Sequence, residues 1–166
     1  MRIHGLLLVL GLSVLVNPAI GMEMQITLIQ PQLDVQPYHR PYIAVWVEDE
    51  KRQPRATLAL WKQLEKGDKW LKDLRQYWRK AGRNAGAEID GVTGATRRPG
   101  QHRLVWDGRD NQGRPLPAGE YLLNIEASRE EGGRDYHRVP FQLGGQGQIE
   151  LPATTELGTI QIRYQP

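Results

Sequence analysis

The amino-acid sequence predicts a mainly β fold, an antiparallel sandwich with one amphipathic helix inserted into it. Short apolar runs of strand length recur along the chain, alternating in polarity and separated by clusters of Gly, Pro, Asp and Asn, the pattern of strands joined by turns. Apolar spacing of three and four, the mark of a helix face, occurs in one segment only, Gly67 to Arg83.

In chain order, Met24 to Ile29 alternates as a half-buried strand, and Tyr42 to Val47 is a compact apolar run of the same length. The loop between them, Pro31 to Pro41, carries Tyr38, His39 and Arg40. Glu48-Asp49-Glu50-Lys51 with Pro54 reads as a hairpin turn into a third strand, Thr57 to Trp61. The helix then covers about 67–83, with Trp70, Leu71, Leu74, Tyr77, Trp78 and Ala81 as the stripe that packs on a sheet. Asp68 is placed to cap its start, and Gly82 or Gly86 to stop it. Its other face is basic, with Lys69, Lys72, Arg75, Arg79, Lys80 and Arg83, and reads as a solvated face or as a dock for an acidic partner. Strands follow at Gln101 to Trp106, Glu120 to Ala127, Tyr136 to Leu143, Gln148 to Leu151 and Gly158 to Tyr164. Trp46, Trp61 and Trp106 are expected to be buried, and Trp70 or Trp78 to pack on the sheet.

The segment Leu104-Val-Trp106-Asp107-Gly108, with Asp110, Gly113 and Pro117-Ala-Gly119-Glu-Tyr121, resembles a hairpin of the Ig-like domain in flagellar hook-capping proteins. The resemblance, over about two strands, implies an Ig-like antiparallel β-sandwich and says nothing of function, and the length of residues 22–166 suits a single domain.

Residues 1–21 read as an export signal. Arg2 gives a positive start, Gly5 to Val16 are almost wholly apolar, and Ala19-Ile20-Gly21 places small residues where a signal peptidase reads, so cleavage is expected before Met22. The mature chain is then periplasmic, with no second apolar stretch for stable membrane insertion. The net charge of +3 is too small to indicate nucleic acid, and removing the signal takes away one base, Arg2, and no acid. The chain has no cysteine, which excludes disulfides, a lipoprotein anchor, thiolate-bound iron–sulfur clusters and thioether-linked haem.

The stretch Asp90-Gly91-Val92-Thr93-Gly94-Ala95-Thr96 resembles the acceptor motif, Asp-x-x-[Ser/Thr]-Gly-Ala-[Thr/Ser], of proteins modified by the flavin transferase ApbE. The resemblance implies that FMN is joined covalently through a phosphoester to the hydroxyl of Thr96. That position needs an alcohol able to attack the pyrophosphate of FAD, so Ser or Thr serves. Gly94 and Ala95 are small enough for a second protein to close over them, and Asp90 and Thr93 can shape the loop 90–96 through local hydrogen bonds. The bland alternative is a Gly/Thr/Asp-rich surface turn.

Other candidate sites read as structure. Asp107, Asp110 and Asn111 could suggest calcium, but the glycine is misplaced for an EF-hand loop, so a hydrogen-bonded turn is expected. His39, His102 and His137 stand singly, without metal-ligand spacing. Catalytic Ser/His/Asp and phosphate-loop patterns are missing, so no catalytic residue is assigned.

Taken together, Tyr38-His39-Arg40-Pro41-Tyr42, Trp70-Leu71-Lys72-Asp73-Leu74-Arg75, Tyr77-Trp78-Arg79-Lys80, Asp90 to Thr96 and Trp106-Asp107 resemble the predicted periplasmic protein family, domain of unknown function 2271. That resemblance implies an exported flavoprotein working beside ApbE and a PepSY-domain membrane protein. The function expected is an electron carrier with FMN on Thr96, passing electrons between a PepSY-type membrane reductase and a periplasmic acceptor without a substrate pocket of its own. The alternatives are a non-redox Ig-like structural or binding module, or a periplasmic metal- or haem-binding protein.

Overall fold

The computed structural model describes residues 21–64 and 67–166; the export signal expected at residues 1–21 lies, but for Gly21, outside the described residues. Nine strands occur among them: β1 (Glu23–Gln30), β2 (Tyr42–Asp49), β3 (Pro54–Lys62), β4 (Thr93–Ala95), β5 (Gly100–Trp106), β6 (Gly119–Ser128), β7 (Arg134–Leu143), β8 (Gly147–Leu151) and β9 (Ile160–Gln165). They form two sheets, one in the order β5-β1-β9-β8 and the other β4-β3-β2-β6-β7. The described pairings are antiparallel except that of β4 with β3, which is parallel. Parallel neighbours need a long crossover between them, and the helical segment between β3 and β4 supplies it.

Alternation decides which side chains meet. Met24, Ile26 and Leu28 of β1 and Ile160 and Ile162 of β9 face Ile43, Val45 and Val47 of β2 and Leu123, Ile125 and Ala127 of β6 in the core between the sheets. A second cluster lies on the outer face of the larger sheet, where Tyr42, Ala44, Trp46 and Leu60 are covered by Leu71, Leu74 and Tyr77. The strand β2 is therefore buried on both faces, which is why its sequence is a continuous apolar run. Trp46, Trp61 and Trp106 are buried as expected, and Trp70 and Trp78 pack against the outer cluster. Trp46 lies beneath that cover, edge-on to Tyr77 and stacked with Tyr136, and its indole N–H donates to the buried Glu48 carboxylate at 2.9 Å.

The expected continuous helix over 67–83 is broken into pieces: a 3-10 turn at Gly67–Asp73, the α-helix α1 at Arg75–Lys80 and a 3-10 turn at Gly82–Asn84. The break sits at Leu74, which leaves the helical basin (φ −74°, ψ 71°), and has a tertiary cause. The carboxylate of Glu126, fully buried on β6, accepts the free N–H groups of Gln76 (3.1 and 3.0 Å) and Tyr77 (2.8 Å). A charged acceptor beneath the first turn of α1 satisfies donors that no side chain of the segment caps.

Two further expectations are revised. The sequence reads Leu104 to Tyr121 as a hairpin, but β5 and β6 belong to different sheets, and the loop between them crosses the sandwich. That loop is held by the side chain of Asn111, which accepts the Thr57 N–H and donates to the Thr57 carbonyl, both at 2.7 Å, and so extends the open edge of β3. The sequence also reads 90–96 as a loop, whereas Thr93–Ala95 form the short strand β4. The turn at Glu48 to Pro54 is the expected hairpin, closed by the Asp49 N–H to the Gln53 carbonyl at 3.0 Å.

Candidate functional site

The segment carrying Asp90, Thr93, Gly94, Ala95 and Thr96 is strapped to the edge of the larger sheet. A 3-10 turn at Ala87–Val92 ends with the Thr93 N–H on the Asp90 carbonyl, and the chain then runs extended. Thr93, Gly94 and Ala95 register against Leu60, Trp61 and Lys62, and the Thr96 N–H donates to the Lys62 carbonyl at 3.1 Å, carrying the ladder one residue further. β4 is the last strand of its sheet, so its far side is an unpaired edge.

The pleat sorts these side chains. Thr93 registers against Leu60, of the outer cluster, and its hydroxyl donates to the Ile89 carbonyl at 2.9 Å. Gly94 registers against Trp61, of the inner core, and Thr96, two residues on, shares that side. Thr93 thus spends its hydroxyl inside the loop, whereas Thr96 is tied through its backbone and is half-buried. Asp90 and Ala95 are exposed. A side chain at Gly94 would meet nothing nearer than the Arg97 guanidinium, at 3.9 Å, and the residue has no positive φ, so the fold itself does not require glycine there.

Beyond Thr96, Arg97-Arg98-Pro99 cross to β5 in the other sheet. The Arg97 guanidinium lies over the Trp61 ring at 5.2 Å, and the Arg97 carbonyl accepts the side chain of the buried Gln30 at 3.0 Å. His102 stands edge-on to Trp61 with centroids 5.2 Å apart, and its Nε2 is 2.8 Å from the Arg98 carbonyl. Lys62, the next residue on from Trp61, points to the other face of the sheet, where it is ion-paired with Asp68 of the helical cover. Composition does not single out Trp61, Arg97 or His102; the available sign is that two arginines follow the motif directly.

The basic helical residues are elsewhere. The segment carrying them covers the outer face of the sheet, opposite the core side of Trp61. There Lys69 sits over the Trp70 ring at 4.8 Å, and Lys80 donates to the Arg52 carbonyl at 3.2 Å. The structure therefore does not merge the basic face with Thr96; the arginines nearest to it in the chain are Arg97, over Trp61, and the exposed Arg98.

Asp110 is the centre of the expected hydrogen-bonded turn. It accepts the N–H groups of Gln112 and Arg114, each at 2.9 Å, and the Arg114 guanidinium at 2.8 Å. Burial pushes its pKa up, but these donors outweigh burial and hold the carboxyl below its ordinary value. The histidines are scattered: His39 is 3.6 Å from Glu130, His102 is beside Trp61, and His137 is on β7. Among the described residues no three His, Cys, Asp or Glu side chains gather as metal ligands, and no helix is long and apolar enough to cross a membrane.

No curated protein and no solved structure matches the chain. A family model described as predicted periplasmic protein (DUF2271) matches residues 23–159, from the start of β1 to the approach to β9. That span includes β1 to β8, the helical cover and the Thr96 segment, so the chain belongs to this family of predicted periplasmic proteins.

Proposed function

We propose that the protein is an exported electron carrier bearing FMN on Thr96, placed there by an ApbE-type transferase. The observation that carries this reading is the presentation of the motif. An unpaired edge strand holds its backbone fixed, engages Thr93 internally and leaves the half-buried Thr96 beside two arginines. An open edge suits capture by a second protein, which can add its own strand there. The glycine at position 94, which the fold does not need, suits close approach of that protein's active site.

The residues present fit a phosphodiester. The Thr96 hydroxyl attacks the FMN phosphorus of FAD, the pyrophosphate bond breaks, AMP leaves, and the hydroxyl proton passes to a base of the transferase. Arg97 and Arg98 offer positive charge to the single negative charge of the product, and Asp90 and Thr93 present the loop. When attached, flavin supplies the electron-accepting ring, and the protein sets its exposure and electrostatic surroundings. The protein passes electrons between a PepSY-type membrane reductase and a periplasmic acceptor. The two packed sheets are the Ig-like sandwich of this reading, a carrier scaffold without a substrate pocket of its own.

The test is colour that survives denaturation. Protein exported together with the transferase should stay yellow after unfolding, Thr96→Ser should stay yellow and Thr96→Ala should be colourless. A yellow Thr96→Ala protein would place the attachment elsewhere, and colour lost from all three on unfolding would mean a dissociable ligand.

A further inference from the structure

A second site lies away from the Thr96 edge, where the start of β2, the first helical turn and the β6–β7 hairpin meet. Tyr42, Trp70, Asp73, Ser128 and Glu130 line a recess of about 20 Å3, and Trp70, Asp73, Ser128 and Glu130 also line an adjoining open hollow of about 410 Å3. Tyr42 and Ser128 are direct partners across β2 and β6, so both strands fix the floor of the recess.

Tyr42 is more than nine-tenths buried, and its hydroxyl is buried without a hydrogen-bond partner. An unmet phenol in that position costs stability unless a ligand supplies the missing partner. The charges around it are unbalanced. Arg129 and Arg134, at the margin of the hollow, are already engaged with Glu156 (2.9 Å) and Glu126 (2.8 Å). Among the described residues, the carboxylates of Asp73, Glu130 and Glu131 are then left with Arg75, with His39, 3.6 Å from Glu130, and with Lys69 beside Trp70. The Gln63 backbone comes near enough to draw the Tyr42 pKa down without making a hydrogen bond to it, but burial, with the negative charges of Glu130, Asp68 and Asp73, outweighs it and pushes the pKa up. Trp70 already takes one cation on its ring, Lys69 at 4.8 Å.

We propose that this cleft binds an alkylammonium group, with Asp73 and Glu130 balancing its charge, Tyr42 and Ser128 accepting its N–H donors and Trp70 covering its methylene stem. An ammonium has three donors and no acceptor, which matches two hydroxyl oxygens and a carboxylate. Its stem needs an apolar wall, which a bare metal ion does not. The ammonium can come from a free diamine or from a lysine side chain of another protein, and the chemistry of the cleft is the same for both.

The test is isothermal titration of the exported chain with putrescine, with an end-blocked tri-lysine peptide and with calcium chloride. Wild type should bind at least one of the two amines, and Asp73→Asn combined with Glu130→Gln should weaken that binding about tenfold or more, the loss expected for a charge-assisted contact. Tyr42→Phe should also weaken it while leaving Tm equal or higher, because the variant removes an unpaired buried hydroxyl. That pair of results separates a ligand contact from a structural one. Tighter binding of the peptide at equal ammonium concentration identifies a protein lysine as the source, and tighter or equal binding of putrescine identifies a free amine. The proposal is overturned if neither amine binds, if calcium alone binds, or if the variants bind as wild type does. The last outcome would leave a single water as the partner of Tyr42.

Discussion

Replacing Glu126 by alanine removes the buried carboxylate that ties the first turn of α1 to the sheet beneath it. In the wild type its carboxylate accepts the buried Tyr77 N–H at 2.8 Å and the part-buried Gln76 N–H at 3.1 and 3.0 Å, and Arg134 reaches it at 2.8 Å. Orphaning the Tyr77 donor costs about 1–3 kcal/mol, and the Gln76 donor, which water can reach, about 1 kcal/mol. Arg134 is one-third exposed and regains water when its partner goes, so its pairing adds about 0–1 kcal/mol. The sum, about 2–5 kcal/mol, corresponds to a fall in Tm of about 5–15 °C for a chain of this length. Differential scanning calorimetry measures the fall, and hydrogen exchange should show lost protection at the Gln76 and Tyr77 amides in particular. Arg134→Ala should also lower Tm, because it leaves the fully buried Glu126 carboxylate without its cationic partner. If Glu126→Ala melts within about 2 °C of wild type with both amides still protected, the carboxylate is not what holds α1, and the account of the helix break at Leu74 is wrong.

Other consequences can be checked separately. Asn111→Ala should lose about 2–4 kcal/mol in urea unfolding at constant m-value, since both Thr57 backbone groups lose 2.7 Å partners; a loss under about 0.5 kcal/mol would mean that water replaces the amide. The Asp110 pKa is lowered in the folded state, so its stabilisation is present above the unfolded value of 3.8 and is lost as pH falls through the lower folded value. Asp110→Asn should therefore be the less stable protein at neutral pH, with the gap to wild type closing below about pH 4, and a gap that does not change with pH would contradict the assignment. Arg52 holds a left-handed conformation at φ 60°, and Arg52→Gly should raise stability by about 0.5–1 kcal/mol, whereas a loss would show that the arginine side chain contributes more than the strain costs. Thr93→Ala breaks the 2.9 Å bond to Ile89, so it should slow flavin transfer to Thr96 without abolishing it, as timed absorbance at equal protein would show.

The strands were legible in the sequence because their alternation is local, and the buried tryptophans because they lie within those strands. Contacts between distant residues decided what was not legible. The helix breaks at Leu74 because Glu126, 50 residues from Gln76, offers its carboxylate there. The apparent hairpin after Trp106 separates into two sheets, with Asn111 held to Thr57 across 54 residues. β4 exists because the crossover returns Thr93 to the open edge of β3, and three residues without apolar alternation carry no strand signal of their own. The motif at Asp90 to Thr96 could be read directly as a resemblance, yet its surroundings could not, since Trp61 meets it, and His102 meets Trp61, only through the fold.

The most direct test of the electron-carrier reading is the intact mass of the purified protein after incubation with an ApbE-type transferase and FAD. The wild type should gain the mass of FMN less one water, on a peptide containing Thr96, and Thr96→Ala should gain nothing. A wild-type protein that keeps its unmodified mass, under conditions in which an established acceptor is fully converted, would contradict the account.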